Sequence, residues 1–219
     1  NSVNLSGTLF GTATTSILSA SCAIVSTTQT GIDLRNNIFA NTLSGGTTSI
    51  AHVSLALPSG GTSSMNLTEN NNAYYCGTDN ARQGIAQVGT TAGTGFYLAS
   101  NFNAGATSPS SNLRSYSSTL SAAGTNDNAS YASTNAAPYT SSTDLHLNLS
   151  SSELNNVEQK GVSVGVTTDI DGNTRPNSGT TLPDMGADEV AQPACSSTPS
   201  GGTITPSSAT RCAGQTYNM

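Results

Sequence analysis

Hydrophobic residues occur along this chain in short pulses that are separated by small polar residues and turn clusters. Within a pulse, apolar and polar positions alternate over three to five residues, which is typical of a short strand. Gly and Asn break the pulses, and no helical period persists for three turns in this part of the chain. The pulses of the first 60 residues lie at Val3–Leu5, Leu9–Phe10, Ile17–Leu18, Ala23–Val25, Ile32–Leu34, Ile38–Phe39 and Ile50–Leu57.

Short strands at regular spacing fit either a β-sandwich or a β-solenoid, and the segment from Gly31 to Asn41 favours the solenoid. Asn36-Asn37 interrupts the apolar alternation, and a new pulse follows at once. Asn tolerates left-handed backbone angles, and its amide can bond the same position in the next coil. We therefore predict one continuous inner column of buried residues, formed by Ile32, Leu34, Ile38, Val53 and Leu55.

Composition narrows the class of protein further. Ser, Thr, Asn and Gly make up half of the 219 residues, charged residues only 8%, and the net charge is -6. The six scattered Lys and Arg residues cannot form a patch that follows nucleic-acid phosphates. No apolar run reaches the roughly 18–20 residues that span a bilayer, and the abundant residues are poor helix formers. The composition indicates an all-β, extracellular protein.

Several motifs follow one another in an order that resembles a known family. The closing pair of motifs, Asp169–Pro176 (D-I-D-G-N-T-R-P) and Pro183–Glu189 (P-D-M-G-A-D-E), is the most specific. The chain resembles the secreted right-handed parallel β-helix proteins of Bacteroidota surface adhesins, which are related in fold to the pectate lyases. The other matching segments are Asn36–Asn41 (N-N-I-F-A-N), Asn70–Tyr75, Asp127–Ser130, Pro138–Tyr139 and Asp144–Leu147.

The resemblance implies a right-handed parallel β-helix over residues 1–190, including the C-terminal coils and a closing segment. It also implies a structural or adhesive segment of a long secreted cell-surface protein, exported by type IX secretion and used in attachment or gliding motility. The expected partners are a surface glycan or protein ligand and the outer-membrane secretion or attachment machinery. The alternative is a polysaccharide lyase or hydrolase whose catalytic coils lie upstream of Asn1.

The composition changes after Val190. Residues 191–219 resemble the opening of an Ig-like or PKD-like module, and 29 residues supply only a part of such a sandwich. Cys195 and Cys212 lie in this stretch, and we expect them to form a disulfide in an oxidising compartment. Cys22 and Cys76 are a second candidate pair, with free thiols as the alternative.

Asp169, Asp171 and Asn173 alternate like the first ligands of a calcium loop. The pattern departs from the EF-hand because Gly172 comes early and a Thr stands at the twelfth position. The alternative is a tight turn whose side chains cap backbone amides, with Arg175 paired to Asp184 or Asp188. Apart from this calcium candidate, no cofactor is expected.

Catalytic residues are not expected in this chain. The two histidines, His52 and His146, stand in alternating strand-like segments, and we expect both to be structural and solvent-facing. The enzymes of this fold use clustered acidic calcium ligands with a base, or two or three close carboxylates. Asp33 and Arg35 share one face of a strand without such support, so we expect a surface ion pair.

The cysteines provide the first testable prediction. Mass spectrometry of the secreted protein under non-reducing conditions should find Cys195 linked to Cys212, since closing a loop of this length contributes about 3 kcal/mol. Free thiols at both positions would contradict the Ig-like opening.

Overall fold

The computed structural model describes residues 1–9, 17–47, 49–90, 95–103, 109–176 and 181–190. The Ig-like opening predicted for residues 191–219, together with Cys195 and Cys212, lies outside the described residues.

Short strands dominate the described part of the chain, as the alternating pulses predict. Two short helices, α1 (Ala99–Asn103) and α2 (Leu113–Thr119), interrupt them, and Ser63–Met65 and Leu154–Asn156 form 3-10 turns. The strands are β1 (Ser2–Leu5), β2 (Thr8–Leu9), β3 (Ile17–Ala23), β4 (Asp33–Arg35), β5 (Ile38–Asn41), β6 (Ser44–Gly45), β7 (Ile50–Leu57), β8 (Thr68–Asn70), β9 (Ala73–Tyr75), β10 (Gln83–Val88), β11 (Phe96–Tyr97) and β12 (Tyr131–Ser133).

The strands form four sheets whose pairings are parallel, except where β11 pairs antiparallel with β10. The central sheet has the order β1-β5-β9-β12, and the second sheet has the order β11-β10-β7-β3. β2 pairs with β6, and β4 pairs with β8. The chain thus visits the four sheets in one order from β1 to β4 and repeats this order from β5 to β8. A β-rich chain with parallel sheets is confirmed, and face-packed antiparallel sheets do not form in the described residues.

Asparagine turns precede β5 and β9, the two inner strands of the central sheet. Asn36 and Asn71 precede β5 and β9 by two positions and have left-handed backbone angles, with φ of 58° and 52°. Their neighbours Asn37 and Asn72 are buried and form a ladder, because Asn72 Oδ1 accepts from both the backbone N (3.0 Å) and Nδ2 (2.9 Å) of Asn37. The ladder continues on one side to Asn1, whose Nδ2 donates to Asn37 Oδ1 over 3.1 Å. The predicted role of the paired asparagines is confirmed.

The central sheet is buried on both faces. Phe39 and Tyr74 lie in an inner core that also contains Leu55 and other residues of the second sheet. Ile38 and Tyr75, the sequence neighbours of this pair, belong to a separate outer core. Because successive strand residues point to opposite faces, a continuous run of buried residues in β5 and β9 requires cover on both sides.

The predicted single column is therefore wrong in part. Ile38, Val53 and Leu55 are fully buried, but Ile38 belongs to the outer core while Leu55 belongs to the inner core. Ile32 and Leu34 are only partly buried, and both pack against the inner core. Alternation of apolar and polar residues predicts one buried face, whereas β5 and β9 are covered on both faces.

Cys22 and Cys76 are both free thiols, so the second candidate disulfide does not form. Cys22 lies on β3 in the second sheet, whereas Cys76 follows β9 in the central sheet. The Cys76 sulfur lies instead 3.5 Å from Asp79 Oδ1 and 3.6 Å from the carbonyl oxygen of Ser133, and its single hydrogen can be donated to either.

The ladder yields a prediction for stability. Substituting Asn72→Ala removes the acceptor of the buried Asn37 backbone N–H and the donor to the Leu34 carbonyl. We expect the free energy of unfolding to fall by about 2–4 kcal/mol, because buried polar groups lose their partners. Urea denaturation measures the change.

Asn128→Ala is the matched control, since Asn128 is exposed. We expect it to alter the free energy of unfolding by less than about 0.5 kcal/mol. Equal effects of the two substitutions would show that the ladder does not stabilise the fold.

Candidate functional site

The closing segment, residues 138–176 and 181–190, packs over the outer face of the central sheet. Tyr139, Val157 and Met185 are among its members of the outer core, and the Tyr139 hydroxyl donates to the Ile38 carbonyl over 3.3 Å. Gly186 has φ of 100°, and a Cβ there would lie 2.8 Å from Ile38 Cδ1. A side chain at this position would therefore be strained and would require Ile38 or Ser2 to shift.

The turn asparagines also hold the closing segment. Asn36 pairs with the backbone of Val162, as its Oδ1 accepts from the Val162 N–H at 2.8 Å and its Nδ2 donates to the Val162 carbonyl. Asn71, one strand further along, donates through Nδ2 to the Lys160 carbonyl at 2.8 Å. The left-handed turns therefore direct two amide side chains outward onto one extended stretch of backbone.

The D-I-D-G-N motif forms a tight turn that Asp169 caps. Its Oδ1 accepts from the backbone N–H groups of Asp171 (2.9 Å) and Asn173 (2.7 Å), and its Oδ2 accepts from Asn173 Nδ2 (3.1 Å) and the Glu189 N–H (3.3 Å). Burial raises the pKa of Asp169, but these hydrogen bonds outweigh it and lower the pKa below its ordinary value. These contacts match the turn-capping alternative. Calcium binding by Asp169, Asp171 and Asn173 stays a prediction.

Arg175 of this motif connects the two closing motifs. Its ion-pair partner differs from the predicted Asp184 or Asp188. Arg175 is buried, and its Nε lies 3.2 Å from Glu189 Oε2. Its two terminal nitrogens donate to the carbonyls of Gly186 and Asp184. The expected ion pair with the side chain of Asp184 or Asp188 is therefore replaced by a pair with Glu189, because the turn brings the guanidinium beside the end of the motif.

A histidine–carboxylate cluster lies beside this turn. His146 Nδ1 lies 2.5 Å from Asp144 Oδ1, and His146 Nε2 lies 3.1 Å from Asp171 Oδ2. Asp188 is buried next to them, and its Oδ2 accepts from the Leu147 N–H at 2.7 Å. Hydrogen bonding to Asp144 and then to Asp171 raises the pKa of His146 to about 9. His146 is exposed as predicted, with Leu147 buried beside it.

This cluster is not among the sites that the sequence predicts. The spacing of Asp144 and His146 in an alternating segment places both on one face, which is a signal in the sequence. The approach of Asp171 and Asp188 depends on how the two closing motifs fold back, and no local pattern specifies that.

A second acidic group lies fully buried in the inner part of the fold. Tyr74 donates through its single hydroxyl hydrogen, yet its oxygen lies 2.8 Å from Glu69 Oε1 and 2.9 Å from Asp127 Oδ1. Two hydrogen bonds among these three oxygens require a proton on one carboxyl group. Burial, with a further contribution from the Asp127 charge, raises the pKa of Glu69 well above its ordinary value.

Glu69 is the member of the pair that holds the proton. Its Oε2 is buried with no hydrogen-bond partner among the described residues, which costs less for a neutral carboxyl than for a carboxylate. Asp127 instead accepts from the Ser117 hydroxyl at 2.6 Å. Glu69 and Asp127 are both 0% exposed, so a polymeric substrate cannot reach them.

The remaining candidates are structural. Asp33 and Arg35 form the predicted surface ion pair, with Arg35 Nη2 2.5 Å from Asp33 Oδ2. His52, expected to face solvent, is buried and contacts Ser19 Oγ at 2.8 Å through Nδ1. That expectation was wrong because the imidazole lies between β3 and β6, where its Nε2 is also 3.2 Å from the Gly45 carbonyl oxygen.

No family model matches the chain, and neither the curated proteins nor the solved structures contain a match to it. Among the described residues, no helix has the length and apolar composition required to cross a membrane.

The buried acid pair predicts how stability depends on pH. A folded-state pKa above the ordinary value of 4.5 means that the folded protein retains a proton that the unfolded chain releases. The free energy of unfolding should therefore fall as the pH rises above about 4.5, with a slope approaching about 1.4 kcal/mol per pH unit. Glu69→Gln mimics the protonated acid and should remove the contribution of Glu69 to this fall, so that the variant is more stable than wild type at neutral pH. Asp127 and Asp184, whose pKa values burial also raises, should still contribute to the fall in the variant.

Glu153→Gln provides the contrast, because the Glu153 carboxylate accepts from Tyr131, Asn135 and Asn156. We expect this substitution to destabilise the protein at neutral pH. Chemical denaturation across a pH series gives both results. An unchanged pH profile in Glu69→Gln would show that Glu69 is ionised in the folded protein.

Proposed function

We propose that residues 1–190 form a right-handed parallel β-helix that serves as a structural and adhesive segment of a long secreted cell-surface protein. The observation that carries this proposal is the repeated order of strands through the four sheets in parallel register. Corresponding asparagines stand 36 and 35 positions apart in successive repeats, as Asn1, Asn37 and Asn72 show. A solenoid built in this way lengthens by adding repeats and presents a continuous lateral surface.

The side-chain chemistry suits a durable extracellular rod. Stacked asparagines satisfy buried backbone groups without charge, and the chain contains one Lys and five Arg residues as cleavage positions for trypsin-like proteases. The proposed export by type IX secretion and display on the cell surface, in attachment or gliding motility, rests on the resemblance to surface adhesins and not on this chemistry.

We propose a lateral groove of the closing segment as the adhesive surface. The groove has a volume of about 420 Å³, and its lining includes Asn36, Val164, Val166, Ile170 and Arg175. Val166 and Ile170 are 53% and 66% exposed, so they offer apolar contact area to a ligand. We propose that a surface glycan or protein ligand binds here, while the secretion or attachment machinery engages the protein elsewhere.

Three of the twelve acids, Glu69, Asp127 and Asp33, are poorly placed to act in glycan cleavage. Glu69 and Asp127 are sealed in the core, and the Asp33 carboxylate is held by Arg35. A general acid and base for glycan cleavage have to reach the same substrate.

Adhesion assays with the groove variant Ile170→Asp test the proposal. Beads coated with the protein should be retained on surfaces bearing bacterial glycans or extracellular proteins, and the charge in Ile170→Asp should reduce retention by placing a carboxylate against apolar ligand surface. Val25→Asp is the matched control, because Val25 is 80% exposed but does not line this groove.

The same preparations should leave pectin-like and other acidic glycans intact, with or without calcium. Depolymerisation that is lost in Asp33→Ala would contradict the adhesive function and support a carbohydrate-active enzyme.

A further inference from the structure

The histidine–carboxylate cluster of the closing segment brings together three stretches of chain that are far apart in sequence. His146 comes from the D-L-H-L stretch, Asp171 from the first closing motif and Asp188 from the second. One nitrogen or oxygen atom from each lies within 4.8 Å of those of the other two. We propose that these three residues bind a single divalent ion of the zinc class, and that Asp144 orients the imidazole.

The orientation of His146 is the first argument for a metal ligand. Its Nδ1 lies 2.5 Å from Asp144 Oδ1, which fixes the ring and leaves Nε2 directed at Asp171. Histidines that ligate metals almost always donate their second ring N–H to a carboxylate or carbonyl in this way. Asp144 therefore corresponds to the carboxylate that orients a metal-binding histidine. His146 Nε2 corresponds to the atom that binds the metal.

The distance between the candidate ligand atoms is the second argument. His146 Nε2 and Asp171 Oδ2 are 3.1 Å apart. Two ligands on a tetrahedral zinc ion, each bonded at roughly 2.1 Å, stand about 3.4 Å apart. A small adjustment of these two exposed side chains therefore admits the ion.

Uncompensated negative charge is the third argument. Asp188 is 6% exposed and has no ion pair among the described residues. Asp144, Asp171 and Asp188 together carry three negative charges, against which His146 supplies at most one positive charge. The nearby Arg175 is committed to Glu189. Because zinc binds the neutral imidazole, a divalent cation would displace the Nε2 proton and lower the net charge of the cluster from two negative charges to one, while giving the buried Asp188 carboxylate a counter-charge.

The ligand types distinguish zinc from calcium. Calcium takes six to eight oxygen ligands, whereas an imidazole nitrogen with carboxylate oxygens suits zinc and neighbouring transition metals. Three protein ligands leave a fourth position for water. This site shares Asp171 with the calcium candidate but excludes Asp169, whose two oxygens already accept four hydrogen bonds.

Bound metal would connect the two closing motifs to the D-L-H-L stretch and thereby fasten the closing segment to itself. This inference does not depend on the adhesive function, because it rests only on the contacts within the closing segment.

Isothermal titration calorimetry of the full, untagged chain with zinc chloride tests the site. The experiment is run at mildly alkaline pH because metal and proton compete for the imidazole nitrogen. We expect one zinc ion per chain to bind at this cluster. His146→Gln and Asp171→Asn should each weaken this binding by roughly 10- to 100-fold. Zinc at about 100 times its Kd should raise the thermal midpoint of the wild type by roughly 5–10 °C.

Asp33→Asn is the matched control, as it removes an exposed carboxylate outside the cluster and should bind zinc like wild type. His146 and Asp171 are both exposed, so their variants should keep the wild-type fold, which circular dichroism checks. Zinc binding that is unchanged in both His146→Gln and Asp171→Asn would assign the metal to another site and overturn the proposal. Absence of binding at millimolar zinc, or displacement of zinc by equimolar calcium, would overturn it as well.

Discussion

The buried hydrogen bonds between turn asparagines are the constraint on which the rest of this structure depends. A turn that enters the central sheet leaves backbone N–H groups in the interior, where water cannot reach them. Asn72 accepts from the backbone of Asn37, while its own side chain donates to the Leu34 carbonyl. The neutral amide both donates and accepts, so it can repeat at the same position without the repulsion that a column of charges would produce. Register between repeats is thereby fixed at the turns as well as along the strands.

The same turns connect the repeats to the closing segment. In their left-handed conformation, Asn36 and Asn71 direct side-chain amides to the backbone of Val162 and Lys160. This arrangement places an irregular stretch of chain over the outer face of the central sheet, where Ile38 and Tyr75 would otherwise meet solvent. The outer core and the asparagine turns therefore depend on the same segment. The closing segment covers the outer core, and the asparagine turns hold the closing segment in place.

Charged residues are few in this protein, and several of them lie together where the chain folds back on itself. Arg175 joins the two closing motifs through Glu189, and the cluster around His146 lies beside the same turn. In the inner part of the fold, Glu69 and Asp127 share the Tyr74 hydroxyl, and burial favours the protonated form of Glu69. His146 and Asp171 face solvent and can exchange protons or ions, whereas Glu69 and Asp127 are sealed in the core and affect stability.

The sequence by itself determined the local structure. Alternating pulses specified short strands, paired asparagines specified left-handed turns and amide contacts between repeats, and the Asp33–Arg35 spacing specified an ion pair on one strand. These features depend on residues close in sequence or on a repeated position. Only the tertiary structure decided that Ile38 faces a second core, that His52 is buried, and that Asp171 and Asp188 meet His146. Each of these three outcomes depends on which distant stretch of chain covers a given face of a strand. Period-two alternation in the sequence does not show whether that face of the strand contacts water or another part of the protein.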